Sequence, residues 1–457
     1  MTRLPIADIA AGRLTPAQLA HNFADVVPPL QRQAALVEAN RCFFCYDAPC
    51  IKACPTGIDI PRFIRRIATE DQRGAADLIL SANILGGSCA RVCPTEVLCE
   101  GDCVRNKEGD TAIQIGALQR YATDWVYRDG VQLFARKPAT GKRVAIVGAG
   151  PAGLACAHHL AREGHQIDVF DARAKAGGLN EYGIAAYKVP DFAQAEIEWL
   201  LGIGGITLHF EQALGSQLSI AQLSADFDAV FLGVGLGAVN ALGVEGDSLD
   251  GVRNAVDFIA ELRQCDDLSR LAIGRRVVVI GGGNTAVDAA VQSRRMGAEQ
   301  VSLVYRRGPG SMTATVAEQD FAKAEGVNVI HWAKPHRLLA DDGQLTAIEF
   351  EYTCADAAGR LKSSGEFFSL PADSVLKAIG QTFDASDLIA NLNAGDGPTL
   401  HLRDGRINVD EEYRTSLAGV WAGGDCVLGH MDLTVQAVED GKRAAASMHC
   451  YLSAKEL

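Results

Sequence analysis

The spacing of apolar positions changes near residue 138. Before it they recur in steps of three and four, as in Pro61–Ile67 and Thr111–Tyr127, which predicts helices joined by loops and few strands. After it, a short linker, Lys137-Pro138-Ala139-Thr140-Gly141, leads into a solid apolar run at Val144–Val147, then a glycine turn, a helix and a second strand. That succession predicts a βαβ unit. A second unit repeats it from Arg275, with its first strand at Val277–Ile280. Two further strands, Ala229–Gly235 and Ser374–Gly380, mark where the chain would cross between two such folds. The fold class read from this pattern is α/β, with an α-helical N-terminal domain ahead of two nested dinucleotide-type folds.

A chain of 457 residues exceeds what one hydrophobic core serves, so two to four domains are expected. No stretch approaches the roughly 20 apolar residues that cross a bilayer, and Met1–Phe23 has no apolar signal region, so a cytoplasmic protein without a membrane partner is expected. Net charge is −13, yet residues 1–139 carry 16 Lys+Arg against 15 Asp+Glu, leaving 27 against 41 for the remainder. An acidic body argues against nucleic acid and anionic membranes as partners.

In the first βαβ unit, Gly148, Gly150 and Gly153 form a G-x-G-x-x-G turn directly after the strand, and Asp171 follows at the end of the next strand. Glycine lets the backbone approach a pyrophosphate, the helix start offers N–H groups to it, and the acid suits a ribose hydroxyl. Gly178 and Leu179, just downstream, extend the surface that approaches phosphate. In the second unit the turn is Gly281, Gly283, Asn284, Thr285 and Ala286, and its second strand runs into Arg306 and Arg307 where a carboxylate would suit NAD. Arginine there suits the 2′-phosphate of NADP, although exposed arginine is also simply common.

Eight of the 13 cysteines lie in two arrays, Cys42-x2-Cys45-x4-Cys50-x3-Cys54-Pro55 and Cys89-x3-Cys93-Pro94-x5-Cys99-x3-Cys103. Thiolates at such short, uneven spacings followed by Cys-Pro point to two iron-sulfur clusters. Structural zinc prefers paired C-x2-C groups, and a disulfide framework suits a small secreted domain; neither fits well. Gly424 and Asp425 close a further apolar strand, and Thr434 and Val435 open a helix.

With that third piece the chain resembles the two-dinucleotide-domain flavoproteins, in which such a Gly-Asp contacts the flavin ribityl and phosphate region. The resemblance implies that Asp425 is a flavin ligand rather than a turn cap, and that the helix from Thr434 points its N–H groups and positive end at the flavin ring. The implied domains are a helical iron-sulfur domain over 1–139, an FAD-binding domain over 140–250 and 375–457, and an NAD(P)-binding domain inserted at 251–374.

Nearly end to end, the chain resembles the electron-input subunit of bacterial NAD(P)-dependent dihydropyrimidine dehydrogenase, and also the glutamate synthase small subunit. Ile115-Gly116-Ala117-Leu118-Gln119 matches the first family's glutamine ligand motif. That likeness implies Cys42, Cys45, Cys50 and Cys103 on one [4Fe-4S] cluster, and Cys54, Cys93, Cys99 and Gln119 on the other. Cys89 is left over. An amide oxygen is an unusual partner for iron, and glutamine is ordinarily a surface residue.

The resemblance further implies FAD, NADP or NAD, and an FMN- and iron-sulfur-containing pyrimidine-reducing partner in a hetero-oligomer, since no such site is encoded here. No catalytic acid or base is nominated, because hydride transfer needs none; Glu181 to Lys188 is the segment expected beside the flavin ring. A glutamate synthase small subunit, a ferredoxin-linked NADP reductase and a non-catalytic flavoprotein scaffold are the alternatives.

Overall fold

The computed structural model describes residues 9–107, 109–189, 192–383, 399–429 and 431–454. Residues 384–398, inside the span expected to bind flavin, lie outside the described residues. The chain forms two compact units, one from residues 1–26, 182–190 and 239–381, the other from 27–181, 191–238 and 382–457.

The larger unit begins with helices that carry the cysteine loops. Helix Ile60–Ala68 is started by Asp59, whose side chain accepts the Arg62 N–H at 3.2 Å, with Pro61 in its first turn. It buries Ile60, Phe63, Ile64 and Ile67 on one face. Fully burying a side chain of that size stabilises by about 1.5–3 kcal/mol, so this face holds the domain core. Helix Gln72–Ala82 is capped by Asp71 on the Gly74 N–H, 2.8 Å. The expected helix over 111–127 instead runs Ile115–Asp129. Groups outside it claim the preceding backbone: Arg41 donates to the carbonyls of Thr111 and Ala112, and Glu38 accepts the Gln114 N–H.

The same unit contains a five-stranded, wholly parallel sheet in the spatial order Val420–Ala422, Ala229–Leu232, Arg143–Val147, Gln166–Phe170, Ile206–His209. Arg143–Val147 is where the strand order reverses, the place where such sheets open a ligand crevice at their carboxyl ends. Helix Thr434–Ala454 packs on helix Pro151–Arg162 so closely that a Cβ on Gly441 would stand 2.0 Å from the Ala152 carbonyl oxygen.

The second unit has its own parallel sheet, ordered Asn328–His331, Gln300–Tyr305, Arg276–Gly281, Ser374–Ala378, Val252–Asn254. A three-stranded antiparallel sheet, Ala333–Asp341, Gln344–Ala355 and Leu361–Pro371, follows it. Residues near the start join this unit: Ile9–Ala10 pairs with Ile273–Gly274, and Leu19 and Phe23 lie in its core.

Candidate functional site

Four of the clustered cysteines, Cys42, Cys45, Cys50 and Cys103, stand around a cavity of about 370 Å³ including its mouth, walled by Ile60, Ile64, Ile113 and Ile115. A second cavity of about 370 Å³ is lined by Cys54, Cys93, Cys99 and Gln119, with Cys89, Asn83 and Val435. Among the described residues no three His, Cys, Asp or Glu side chains converge as one ion would require. Thiols ringed around a space suit a polynuclear group. Ile60 lines both cavities.

Burial pushes the Cys50 thiol up to about 12 and raises those of Cys42 and Cys99; Cys93 is raised most directly by its neighbour Cys89, then by burial. Neutral thiols are therefore favoured until a metal supplies positive charge, when binding releases their protons. The Gln119 amide is fixed in orientation, because Nε2 donates to the Gly86 carbonyl at 2.7 Å. Oε1 then faces away from that bond, and among the described residues it receives no hydrogen bond. Helix Gly86–Val92, which carries Cys89, is anchored at its N-terminus by buried Glu196, which accepts from Gly87 N–H at 2.8 Å and from Ser88. A carboxylate there complements the helix dipole.

The first glycine turn has the geometry that a close-approaching ligand needs. Gly148 has φ +103°, and a Cβ on Gly153 would lie 1.9 Å from the Gly148 carbonyl oxygen. Gly150 precedes the helix start. Asp171 orders this turn, accepting Ala149 N–H at 2.7 Å and Arg173 N–H at 2.8 Å. Gly178 stands against Gly150, and Leu179 opens a short helix. Gly424 faces Ala152. Buried Asp440, which sequence reasoning missed, holds this second turn: it accepts from Gly424 N–H at 3.0 Å, Tyr413 hydroxyl at 3.1 Å and Gln436 amide at 2.8 Å. Thr434 donates to Asn180 at 2.8 Å, next to Leu179. The structure thus brings the first glycine turn, Gly178, Gly424 and Thr434 close together, and Val435, next to Thr434, lines the second cysteine cavity. Burial, then Asp432, raises the Asp425 carboxyl from 3.8 to about 6.

In the other unit, Gly281 ends its strand so near Ser374–Ala378 that a Cβ would lie 2.2 Å from the Ala378 carbonyl oxygen, and Gly283 caps helix Asn284–Arg295. Asn284 Oδ1 is buried without a hydrogen-bond partner among the described residues. Thr285 and buried Ala286 follow in the first turn. Arg306 and Arg307 directly follow the adjacent strand Gln300–Tyr305 and are exposed, and no ion pair engages either among the described residues. Lys188, from the segment expected beside the flavin ring, lies within this unit, its ammonium 2.8 Å from Asp288 and 2.6 Å from Glu318. Burial alone would lower its pKa; the two carboxylates reverse that and raise it.

Two families match. The dihydropyrimidine dehydrogenase domain II, 4Fe-4S cluster family covers residues 19–131, and the pyridine nucleotide-disulphide oxidoreductase family covers 142–441. The chain belongs to the pyridine nucleotide-disulphide oxidoreductases. It is an NAD(P)-dependent oxidoreductase with an iron-sulfur domain ahead of its dinucleotide-binding folds. The chain is 34% identical over 437 residues to the NAD-dependent dihydropyrimidine dehydrogenase subunit PreT of Escherichia coli K12, covering 94% of this chain and 98% of that one. It is 33% identical over 460 residues to the glutamate synthase [NADPH] small chain of Halomonas elongata, covering 95% and 94%. The NADP(+)-dependent formate dehydrogenase subunit beta of Moorella thermoacetica is 35% identical over 439 residues; these are 89% of this chain and 60% of that longer protein. Among the described residues, no helix is long and apolar enough to cross a membrane.

Proposed function

We propose that this oxidoreductase is the electron-input subunit of a dihydropyrimidine dehydrogenase, oxidising NAD(P)H with FAD and passing single electrons through two [4Fe-4S] clusters to a partner that reduces uracil or thymine. The observation that carries this reading is the continuity of linings in the larger unit. Val435, at the start of the helix beside the Gly424-Asp425 turn, lines the cavity of Cys54, Cys93, Cys99 and Gln119, and Ile60 joins that cavity to the one of Cys42, Cys45, Cys50 and Cys103. When bound, flavin supplies the exchange between hydride and single electrons, and thiolate-held clusters conduct the latter.

The chain's own residues then have separable tasks. Gly148, Gly150 and Gly153 let the backbone meet a pyrophosphate, with Asp171 ordering the turn and reaching a ribose; Gly178, Leu179, Gly424 and Asp425 enclose the rest of the cofactor. The helix from Thr434 presents its positive end to the flavin ring. Gly281, Gly283, Asn284, Thr285 and Ala286 receive the nicotinamide dinucleotide, and Arg306 and Arg307 its 2′-phosphate. Cys54, Cys93, Cys99 and Gln119 hold one cluster, and Cys42, Cys45, Cys50 and Cys103 hold the second.

The assignment to pyrimidine reduction rests on Gln119, whose pinned amide leaves its oxygen available. The glutamate synthase reading is supported by a nearly equal identity to its small chain. The anaerobically purified chain should oxidise NAD(P)H with dyes and leave uracil and thymine unreduced. Added to a partner bearing FMN and its own clusters, it should support pyrimidine reduction. Pyrimidine reduction by the chain alone would falsify the subunit assignment; activity only with glutamine, 2-oxoglutarate and a glutamate synthase large subunit would transfer it to the alternative.

A further inference from the structure

The second cysteine cavity contains a polar group that the ligand assignment leaves unexplained. Asn83 is fully buried and lines this cavity, and its Nδ2 has no hydrogen-bond partner among the described residues. Its amide cannot simply be turned over, because Oδ1 accepts the Leu85 N–H at 3.1 Å and the reversed amide would set two donors against each other. A buried donor left unpaired costs about 1–3 kcal/mol, so such a group calls for an acceptor.

A second donor meets the same cavity wall. The hydroxyl of Thr56, itself buried, lies 3.3 Å from Cys54 Sγ. A metal-bound sulfur is a thiolate with no proton to give, so the hydroxyl must donate. Its orientation is held by a tight turn in which Gly57 N–H bonds the Cys54 carbonyl at 2.9 Å, and Lys442 ties down the Thr56 and Ala82 carbonyls at 3.4 and 3.1 Å. Around the first cavity the corresponding bond comes from backbone, Phe44 N–H to Cys42 Sγ at 3.4 Å.

Resting on the two-cluster reading above, we propose that Asn83, through Nδ2, and Thr56, through its hydroxyl, are positioning residues that hydrogen-bond the sulfurs of the cluster held by Cys54, Cys93 and Cys99 and raise its reduction potential. Hydrogen bonds to sulfur withdraw electron density from iron and favour the reduced, more negative form. Neither residue exchanges protons or electrons; each biases a one-electron equilibrium whose electron arrives from outside the site.

The experiment is a potentiometric titration, followed by electron paramagnetic resonance, of the full chain with flavin and clusters loaded. Asn83→Asp keeps the Leu85 contact and replaces the donor with an anion; Thr56→Val keeps the shape and removes the hydroxyl; Thr56→Ser keeps the donor. Thr56→Val should shift the one-electron equilibrium about fivefold toward the oxidised cluster, lowering its potential by about 40 mV at 59 mV per decade, the net worth of one hydrogen bond. Asn83→Asp should lower it further, and Thr56→Ser should restore the wild-type value. The cluster of Cys42, Cys45, Cys50 and Cys103 serves as the unmoved reference. Unchanged potentials in Thr56→Val and Asn83→Asp, equal shifts in Thr56→Val and Thr56→Ser, or loss of iron from Thr56→Val would each overturn the proposal. A wild-type chain holding only one cluster would instead overturn the two-cluster reading on which it rests.

Discussion

Replacing Asp425 by asparagine isolates the electrostatic tension in the proposed flavin crevice. The Asp425 carboxyl is raised from 3.8 to about 6, first by burial, then by Asp432, with Arg406 working in the opposite direction and Asp440 adding to the rise. Arg406 gives little relief because its guanidinium is already shared bidentately with Asp432, at 2.6 and 2.8 Å. In the flavin-free chain the folded state holds this proton more tightly than the unfolded state, so stability falls as pH rises from about 4 to about 6 and stays lower above that. The full difference is about 3 kcal/mol. Asp425→Asn removes the penalty while keeping the shape. Flavin-free variant should therefore unfold several degrees above flavin-free wild type at pH 7.5, with the gap closing by pH 4.5. Equilibrium dialysis of the same variant should show weaker FAD binding, because a charge bearing on the ribityl chain is lost. The reasoning is refuted if the melting difference measured by differential scanning calorimetry is the same at both pH values.

Two other perturbations probe the smaller unit. Arg306→Ala should lower kcat/KM for NADPH by about tenfold or more, the worth of a charge-assisted hydrogen bond, and leave NADH nearly unaffected; equal use of both nucleotides by wild type would reject the 2′-phosphate role. Lys188→Met leaves Asp288 and Glu318 without their shared cation and should destabilise this unit by about 3–5 kcal/mol. Urea unfolding measures it, and a loss below about 1 kcal/mol would mean that the ion pairs are not what Lys188 supplies.

The parts of the fold that were legible in sequence are those whose signals are local. Val144–Val147 followed by its glycines, and Val277–Ile280 followed by Gly281, announce strand and turn because the apolar run and the steric demand sit side by side in the chain. The helix Ile60–Ala68 was readable for the same reason, with its period and its cap adjacent. The start of the Ile115 helix was not, since Arg41 and Glu38, about seventy residues away, take the backbone groups of 111–114. The antiparallel sheet over 333–371 was also missed, because its outer strand Leu361–Pro371 is largely exposed and lacks a strong apolar alternation. At the site, cysteines advertise themselves by type. Asn83, Glu196 and Asp440 are ordinary polar residues whose importance comes from complete or nearly complete burial, and for Glu196 and Asp440 also from partners distant in sequence, which no spacing rule encodes.

The neighbouring strands Ala229–Leu232 and Val420–Ala422 carry a consequence for biosynthesis. A ribosome adding about 5–20 residues per second takes roughly 10–40 s to cover the distance between them. Throughout that interval the nascent flavin-type sheet has an open edge. The helix Pro151–Arg162 also waits for its cover, the Thr434–Ala454 helix that buries Val435, Val438, Ala444, Met448 and Leu452. The inserted unit, whose sheet strands lie between 252 and 378, is finished first. Maturation therefore runs from the inside of the sequence outward. A chain interrupted after residue 381 would leave the ribosome with the inserted unit able to fold and its host bare, a ready substrate for chaperones and proteases.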